Sequence, residues 1–149
     1  MHRTRTLCCL LVLSLMLCGC GKAGEALKKP TPHPQLPKSD QPIQVDRDRS
    51  EKAEQAALAV PGVNDARAVA IDRDLTVGIQ IRGFNRLHMQ SIKQAVARRV
   101  HKTAPGQEVR VTSDKKLFSH LNTLRQDLQK PRPDLNQAKR ELMRINEDM

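Results

Sequence analysis

A strict alternation of apolar and polar residues runs from Leu75 to Arg82, with apolar side chains at every odd position. Successive side chains of a strand point to opposite faces, so this period of two predicts a strand with one buried and one solvated face. A second apolar run, from Ala66 to Ile71, precedes it across the turn Asp72-Arg73-Asp74. Together the two runs predict a β-hairpin.

Helices and a third strand are predicted around this hairpin. A short helix with Ser50 as its N-cap ends at Pro61-Gly62, and apolar residues at helical spacing predict an amphipathic helix over residues 85–102. Residues 108–112 alternate again and predict a third strand. The order helix, strand, strand, helix, strand predicts a small α+β fold, a two-layer sandwich whose two helices cover one face of a three-stranded sheet.

Two further helices are predicted at the C-terminus. Leucines at helical spacing follow Asp114, a suitable N-cap, until Lys130-Pro131-Arg132-Pro133 interrupts the helix. An apolar seam on a strongly charged helix then follows, formed by Leu135, Ala138, Leu142, Ile145 and Met149. We expect this seam to pack on the protein's own core; another protomer or another protein is the alternative, and two heptads are too few to claim a coiled coil.

The N-terminus is typical of a secretory signal peptide over residues 1–19. It has a basic start at Arg3 and Arg5, an apolar stretch too short to span a membrane, and small residues before a cysteine. The site Leu17-Cys18-Gly19-Cys20 resembles the lipobox of bacterial lipoproteins. We therefore expect cleavage between Gly19 and Cys20, with lipid attached to Cys20 as a thioether; an ordinary signal peptide ending near a cysteine is the alternative.

Composition divides the remaining chain. Five closely spaced prolines lie between Pro30 and Pro42, so residues 20–48 are predicted to be an extended tether that cannot bury enough apolar surface to fold. Residues 49–129 form the predicted α+β domain, and residues 130–149 the proline-interrupted C-terminal helix. Cys20 is the only cysteine after the cleavage site, which excludes a disulfide within the mature chain.

The solvated face of the sheet is a candidate contact surface. Its predicted contact residues are Thr76, Gln80, Arg82, Arg110 and Thr112. The chain carries 26 basic and 16 acidic side chains, which favours anionic partners such as lipid headgroups or wall polymers, although a basic surface without a partner explains the charge equally well. Nucleic acid is not expected, because Trp and Tyr are absent and only two phenylalanines could stack on bases.

Catalytic patterns are missing from the sequence. His88, His101 and His120 are scattered, no His-Glu-x-x-His or Cys-x-x-Cys pair occurs, and no glycine-rich phosphate loop follows a strand. Glu108 and Asp114 could share a site with His120, but nothing in their spacing requires it. The sequence therefore predicts a protein that is not an enzyme and uses no metal or cofactor.

A family resemblance rests on residues 60–122. Val60-Pro61-Gly62-Val63, the two strands, the basic helix, and the closing segment from Val109 to Asp114 with Leu117-Phe118 resemble the sporulation lipoproteins of the YhcN/YlaJ family. The resemblance covers Cys20 to about Leu124 and leaves out the helix after Pro133. The chain departs from the family pattern at Leu75-Thr76-Val77-Gly78-Ile79, which lacks the family's tyrosine, and at Lys115, where proline is usual.

This resemblance implies a lipoprotein made during endospore formation and held on the outer face of a membrane, in the forespore or the membrane and cortex region of the spore. It implies a non-catalytic binding or structural module affecting spore resistance, germination or outgrowth. Its expected partners are the membrane, through the lipid, and cortex or wall polymer, anionic lipid or another spore protein; the oligomeric state stays open. The alternatives are a general envelope lipoprotein and an accessory to a cortex hydrolase.

Overall fold

The computed structural model describes residues 41–149, with the backbone alone over residues 84–86. The elements in chain order are α1 (Arg47–Leu58), β1 (Val63–Ile71), β2 (Asp74–Ile81), a 3-10 helix (Gly83–His88), α2 (Met89–Thr103), β3 (Glu108–Thr112), α3 (Lys115–Leu128) and α4 (Leu135–Glu147). The α+β class and the order helix, strand, strand, helix, strand are thereby confirmed.

The sheet has the strand order β1-β2-β3. β1 and β2 form the predicted antiparallel hairpin, with Ile71 opposite Asp74 at the turn. Asp72 makes this turn possible by adopting a left-handed φ of 55°, a conformation that Asp and Asn tolerate better than most residues. β3 pairs in parallel with β2, and α2 provides the crossover connection that a parallel pair needs.

One face of the sheet is covered by α1 and α2. Alternate strand residues, including Ala66, Ala68, Leu75, Val77 and Ile79, pack there against the small side chains of α1 and the apolar face of α2. Alanines dominate both α1 and the facing part of β1, so the helix can lie close to the strand. This half of the core matches the predicted two-layer sandwich.

The other face of the sheet is covered by α3 and α4, which add a third layer. Val69 and Ile71 of β1 pack with Leu121 of α3 and Leu142 of α4 in a second apolar cluster. A Cβ at Gly78 would lie only 3.2 Å from Cδ2 of Phe118, so α3 approaches β2 as closely as a glycine permits. The face that was expected to be solvated is therefore largely buried.

The apolar seam of α4 packs on the protein's own core, as predicted. Ala138, Leu142 and Ile145 are buried, whereas Met149 at the end of the seam is exposed. The interruption at residues 130–133 lets the chain reverse between α3 and α4, and Asp134 begins the new helix by accepting a hydrogen bond from the Gln137 N–H.

The start of the fold differs from the prediction. Asp46, and not Ser50, is the N-cap of α1, and its carboxylate accepts a hydrogen bond from the Arg49 N–H. Ser50 lies inside the helix, where its hydroxyl donates to the Asp46 carbonyl and accepts from the Ala70 N–H. Ile43 and Val45 already pack against the second apolar cluster, so the folded part begins before Ser50.

The outer edge of β1 is closed by side chains of α1. The Ala68 N–H donates to the Glu54 carboxylate over 2.9 Å, and the Ala70 N–H donates to Ser50. Arg125 of α3 reaches the same Glu54 carboxylate at 2.7 Å. Two helices from opposite faces of the sheet thus meet at this edge and satisfy backbone groups that an exposed edge strand would offer to another chain.

Candidate functional site

Two of the five predicted contact residues are buried, which corrects their assignment to a solvated face. Thr76 is 0% exposed and Thr112 is 5% exposed. The Thr76 hydroxyl donates to the Asn146 side chain of α4 over 2.6 Å, so it holds the last helix on the sheet. Alternation within a strand shows which face of the sheet is polar, but it does not show whether a helix distant in sequence covers that face.

The other three predicted contact residues remain accessible to different degrees. Gln80, near the end of β2, and Arg82, just after it, are exposed. Arg110 is half-buried, and its guanidinium lies 2.5 Å from the Asp74 carboxylate and 3.2 Å from that of Glu108. Arg110 therefore neutralises the negative charges of Asp74 and Glu108.

The polar groups considered for catalysis are not brought together. Glu108 lies at the start of β3 and accepts from Arg110, whereas Asp114 follows the opposite end of this strand and caps α3 through the Lys116 and Leu117 N–H groups. His88 and His101 are exposed. Among residues 41–149, no three His, Cys, Asp or Glu side chains lie close enough to hold a metal ion.

A cleft between α3 and α4 has a volume of about 240 Å³. Its walls combine Leu124 and Ala138 with side chains of both charges, among them Asp127, Lys130 and Glu141. Sites for small organic ligands usually enclose about 300–1,000 Å³ and are mostly apolar, so this cleft makes a poor substrate pocket.

The outer side of α2 carries a cluster of exposed basic side chains. We define the α2 basic surface as Arg98, Arg99 and Lys102, all of which are exposed, with the exposed His101 beside them. The opposite side of the helix, with Ile92, Val96 and Val100, is buried against the sheet. The helix thus presents its charge outward because its apolar residues fix the rotation about its axis.

Residues 24–149 match the family model of the sporulation lipoprotein YhcN/YlaJ. The chain belongs to this family. The match covers most of the chain and bears out the resemblance carried by residues 60–122. No curated protein and no solved structure matches the chain significantly.

The family match also corrects the extent of the resemblance. It continues past Leu124 to Met149 and so includes α4, which the resemblance had left out. The structure gives a physical reason, since Leu142 and Ile145 of α4 complete the apolar cluster on the second face of the sheet. In this member of the YhcN/YlaJ family, α4 is therefore part of the folded unit.

The α2 basic surface was not among the predicted contact residues, although a signal for it exists in the sequence. Between Asp74 and Glu108 there is no Asp or Glu, while six Lys or Arg residues occur.

In the part of the chain that the structure describes, no helix is both long and apolar enough to cross a bilayer.

Proposed function

We propose that this chain is a lipoprotein anchored through Cys20 to a membrane of the developing spore, where its domain acts as a non-catalytic binding module that affects spore resistance, germination or outgrowth. The observation that carries the proposal is membership in the sporulation lipoprotein family over residues 24–149. The matched region begins just after the lipobox Leu17-Cys18-Gly19-Cys20.

Cys20 is the residue through which the anchor would act. Lipid modification needs a thiol at this position, and small neighbours such as Gly19 allow the signal peptidase to reach the bond. The compartment outside the membrane permits disulfides, but Cys20 would be the one cysteine left in the mature chain and so would stay available for the lipid.

The charged groups of the domain support binding over catalysis. Glu54, Asp72, Asp74 and Asp114 are engaged in ion pairs or helix capping, and these contacts hold elements of the fold together. A general acid or base needs its proton within hydrogen-bond reach of a bound substrate, usually in a cleft. The exposed α2 basic surface, which has no acidic neighbour in sequence, is better suited to contact with an anionic surface.

The anchor is tested by comparing a tagged wild type with Cys20→Ala during sporulation. We expect the wild type to incorporate labelled palmitate and to remain in the membrane fraction, and Cys20→Ala to lose both. Cys18→Ala is the matched control, because it removes a neighbouring thiol from the signal peptide and should leave labelling and membrane retention unchanged. Equal membrane retention of the wild type and Cys20→Ala would contradict the proposed anchor.

The role in the spore is tested with the same strains. Spores carrying Cys20→Ala should differ from wild type in heat resistance, germination or outgrowth, whereas Cys18→Ala spores should not. Production of the protein confined to vegetative growth would overturn the assignment to the spore. Cleavage of cortex peptidoglycan by the purified mature protein would overturn its non-catalytic role.

A further inference from the structure

All the charged side chains of α2 are basic. The nearest acidic residues in sequence are Asp74 and Glu108, at the two ends of an acid-free stretch that includes the whole helix. The three residues of the α2 basic surface lie in the last six positions of α2, within about 6 Å along the helix axis. Their charges are thus concentrated at one end of the helix, where they can meet neighbouring anionic groups of a surface together.

Several basic residues elsewhere in the fold are neutralised by acidic partners. Arg67 pairs with Asp65 at 2.6 Å, Arg125 pairs with Glu54, and Lys139 pairs with Asp72. Within residues 41–149, none of the ion pairs involves a side chain of α2. The α2 basic surface is therefore complementary to an external polyanion, and a positive potential of this kind attracts one over a distance of about a Debye length.

An exposed leucine favours a bilayer over a soluble polyanion as the partner of the α2 basic surface, because only a bilayer has an apolar interior. Leu87, in the last turn of the 3-10 helix before α2, is 93% exposed. Leu58, the last residue of α1, is 47% exposed. A single exposed leucine is ordinary on a protein surface. The apolar face of α2 itself is buried against the sheet, so Leu87, just before the N-terminus of α2, is an exposed apolar side chain available to insert below lipid headgroups, as apolar residues of interfacial segments do.

We propose that the α2 basic surface and Leu87 dock the domain on an anionic phospholipid bilayer, with Arg98, Arg99 and Lys102 against the headgroups and Leu87 inserted at the acyl boundary. This inference rests on the proposed function, because the lipid on Cys20 would keep the domain near the bilayer. About 20 residues separate Cys20 from the fold and can span at most about 70 Å. Docking adds a second membrane contact to the anchor.

The test uses the mature chain, residues 20–149, carrying Cys20→Ala so that no lipid contributes to binding. Vesicles of phosphatidylcholine with about one third phosphatidylglycerol are compared with vesicles of phosphatidylcholine alone by co-sedimentation. We expect binding to the anionic vesicles only, and we expect this binding to weaken as the salt concentration rises.

The triple variant Arg98→Gln/Arg99→Gln/Lys102→Gln should bind anionic vesicles at least about tenfold more weakly, because each basic side chain near the surface contributes to attraction. The matched control, Lys115→Gln/Lys116→Gln/Arg132→Gln, removes the same charge from exposed residues of α3 and the loop before α4, on the other face of the sheet. It should retain binding within about threefold. Circular dichroism verifies that both triple variants are folded.

Leu87→Ser tests the choice of a bilayer over a soluble polyanion. We expect a severalfold loss of vesicle binding that persists at high salt, and unchanged binding to soluble poly(glycerol phosphate). No effect of Leu87→Ser on vesicle binding would overturn the inserted leucine and favour a wall polymer. Equal losses in the two triple variants would show that net charge, and not α2, drives binding, and this result also contradicts the inference.

Failure of this inference and failure of the proposed function are distinguishable. Palmitate labelling in cells reports on Cys20 whether or not α2 binds lipid. Vesicle binding by the chain without lipid reports on α2 whether or not Cys20 is modified. An anchored protein whose domain ignores anionic vesicles would overturn docking alone.

Discussion

The Lys139 ammonium lies 2.6 Å from the Asp72 carboxylate, and this ion pair joins the last helix of the chain to the turn between β1 and β2. The same carboxylate accepts a hydrogen bond from the Gln44 N–H, so the segment before α1 meets α4 at one side chain. Gln44 and Lys139 are 95 residues apart in the sequence, and both thus contact Asp72 in the turn between β1 and β2.

The Asp72 contacts predict a pH dependence of stability. Burial raises the pKa of Asp72, but the Gln44 hydrogen bond and the Lys139 charge outweigh it, so the pKa lies below its ordinary value of 3.8. A lowered pKa in the folded state contributes stability above about pH 3.8 that is lost as the pH falls through the folded-state value. Asp72→Asn should lower the free energy of unfolding by about 1 kcal/mol at pH 7, and this difference should shrink as the pH falls below 3.8.

Urea unfolding at pH 7 and pH 3 measures this difference. Asn is a suitable replacement because it tolerates the left-handed φ at this turn. The control is Asp127→Asn, which removes an exposed pair with Lys130 and should cost less than about 0.5 kcal/mol. A loss for Asp72→Asn that is the same at both pH values would contradict the role of the charge.

The burial of α4 predicts that its seam stabilises the whole domain. Leu142 is 2% exposed, so Leu142→Ala should lower the free energy of unfolding by about 2–5 kcal/mol through lost apolar contact and a cavity. Asn136→Ala, at an exposed position of the same helix, should change it by less than about 0.5 kcal/mol. If the two variants unfold at the same urea concentration, α4 does not belong to the cooperative core.

The close approach of α3 to β2 predicts opposite effects at two glycines. Gly78→Ala places a methyl group 3.2 Å from Phe118 and 3.3 Å from Leu121, so it should destabilise the fold by about 1 kcal/mol. Gly83→Ala meets no atom within 4 Å and should be neutral or stabilise by about 0.4–1 kcal/mol through the unfolded state. Thermal unfolding compares the two, and equal stabilisation by both would exclude the tight contact at Gly78.

The contacts at the edge of β1 predict that two substitutions of Glu54 lower the free energy of unfolding by different amounts. Glu54→Ala leaves the Ala68 N–H and the Arg125 guanidinium without their acceptor and should cost about 1–3 kcal/mol. Glu54→Gln keeps a carbonyl oxygen for Ala68 and should cost less. Glu51→Ala, at an exposed position of α1, is the control, and chemical unfolding ranks the three variants. A loss at Glu54→Ala no larger than at Glu51→Ala would mean that the edge contacts contribute nothing.

Much of the fold was predictable from local patterns. The strand Glu108–Thr112 and the cap at Asp114 were predicted as the structure has them, because alternation and capping depend on neighbouring residues. The start of α1 was misplaced, since both Asp46 and Ser50 are suitable caps and Ser50 is instead used to close the edge of β1. The backbone from Gly83 is a 3-10 helix and α2 begins at Met89, later than the predicted residue 85.

The candidate site was less predictable, for a different reason. Thr76 and Gln80 have the same parity on β2, yet the first is buried and the second is exposed. Only the position of α3 and α4 over the sheet separates them, and no local pattern contains that position. The α2 basic surface, in contrast, has a local signal, because its exposed face follows from the helical period and its sign from the acid-free stretch.

The sequence by itself determined the order of the strands and helices and the family, because these depend on residues close together in the chain. The tertiary structure decided that the polar side of the sheet is a second core. Residues 117–145 supply a second set of buried leucines and an isoleucine, which pack against Val69, Ile71 and Gly78. This packing removes apolar surface from water that would stay exposed if α3 and α4 did not cover the sheet, and it therefore stabilises the fold.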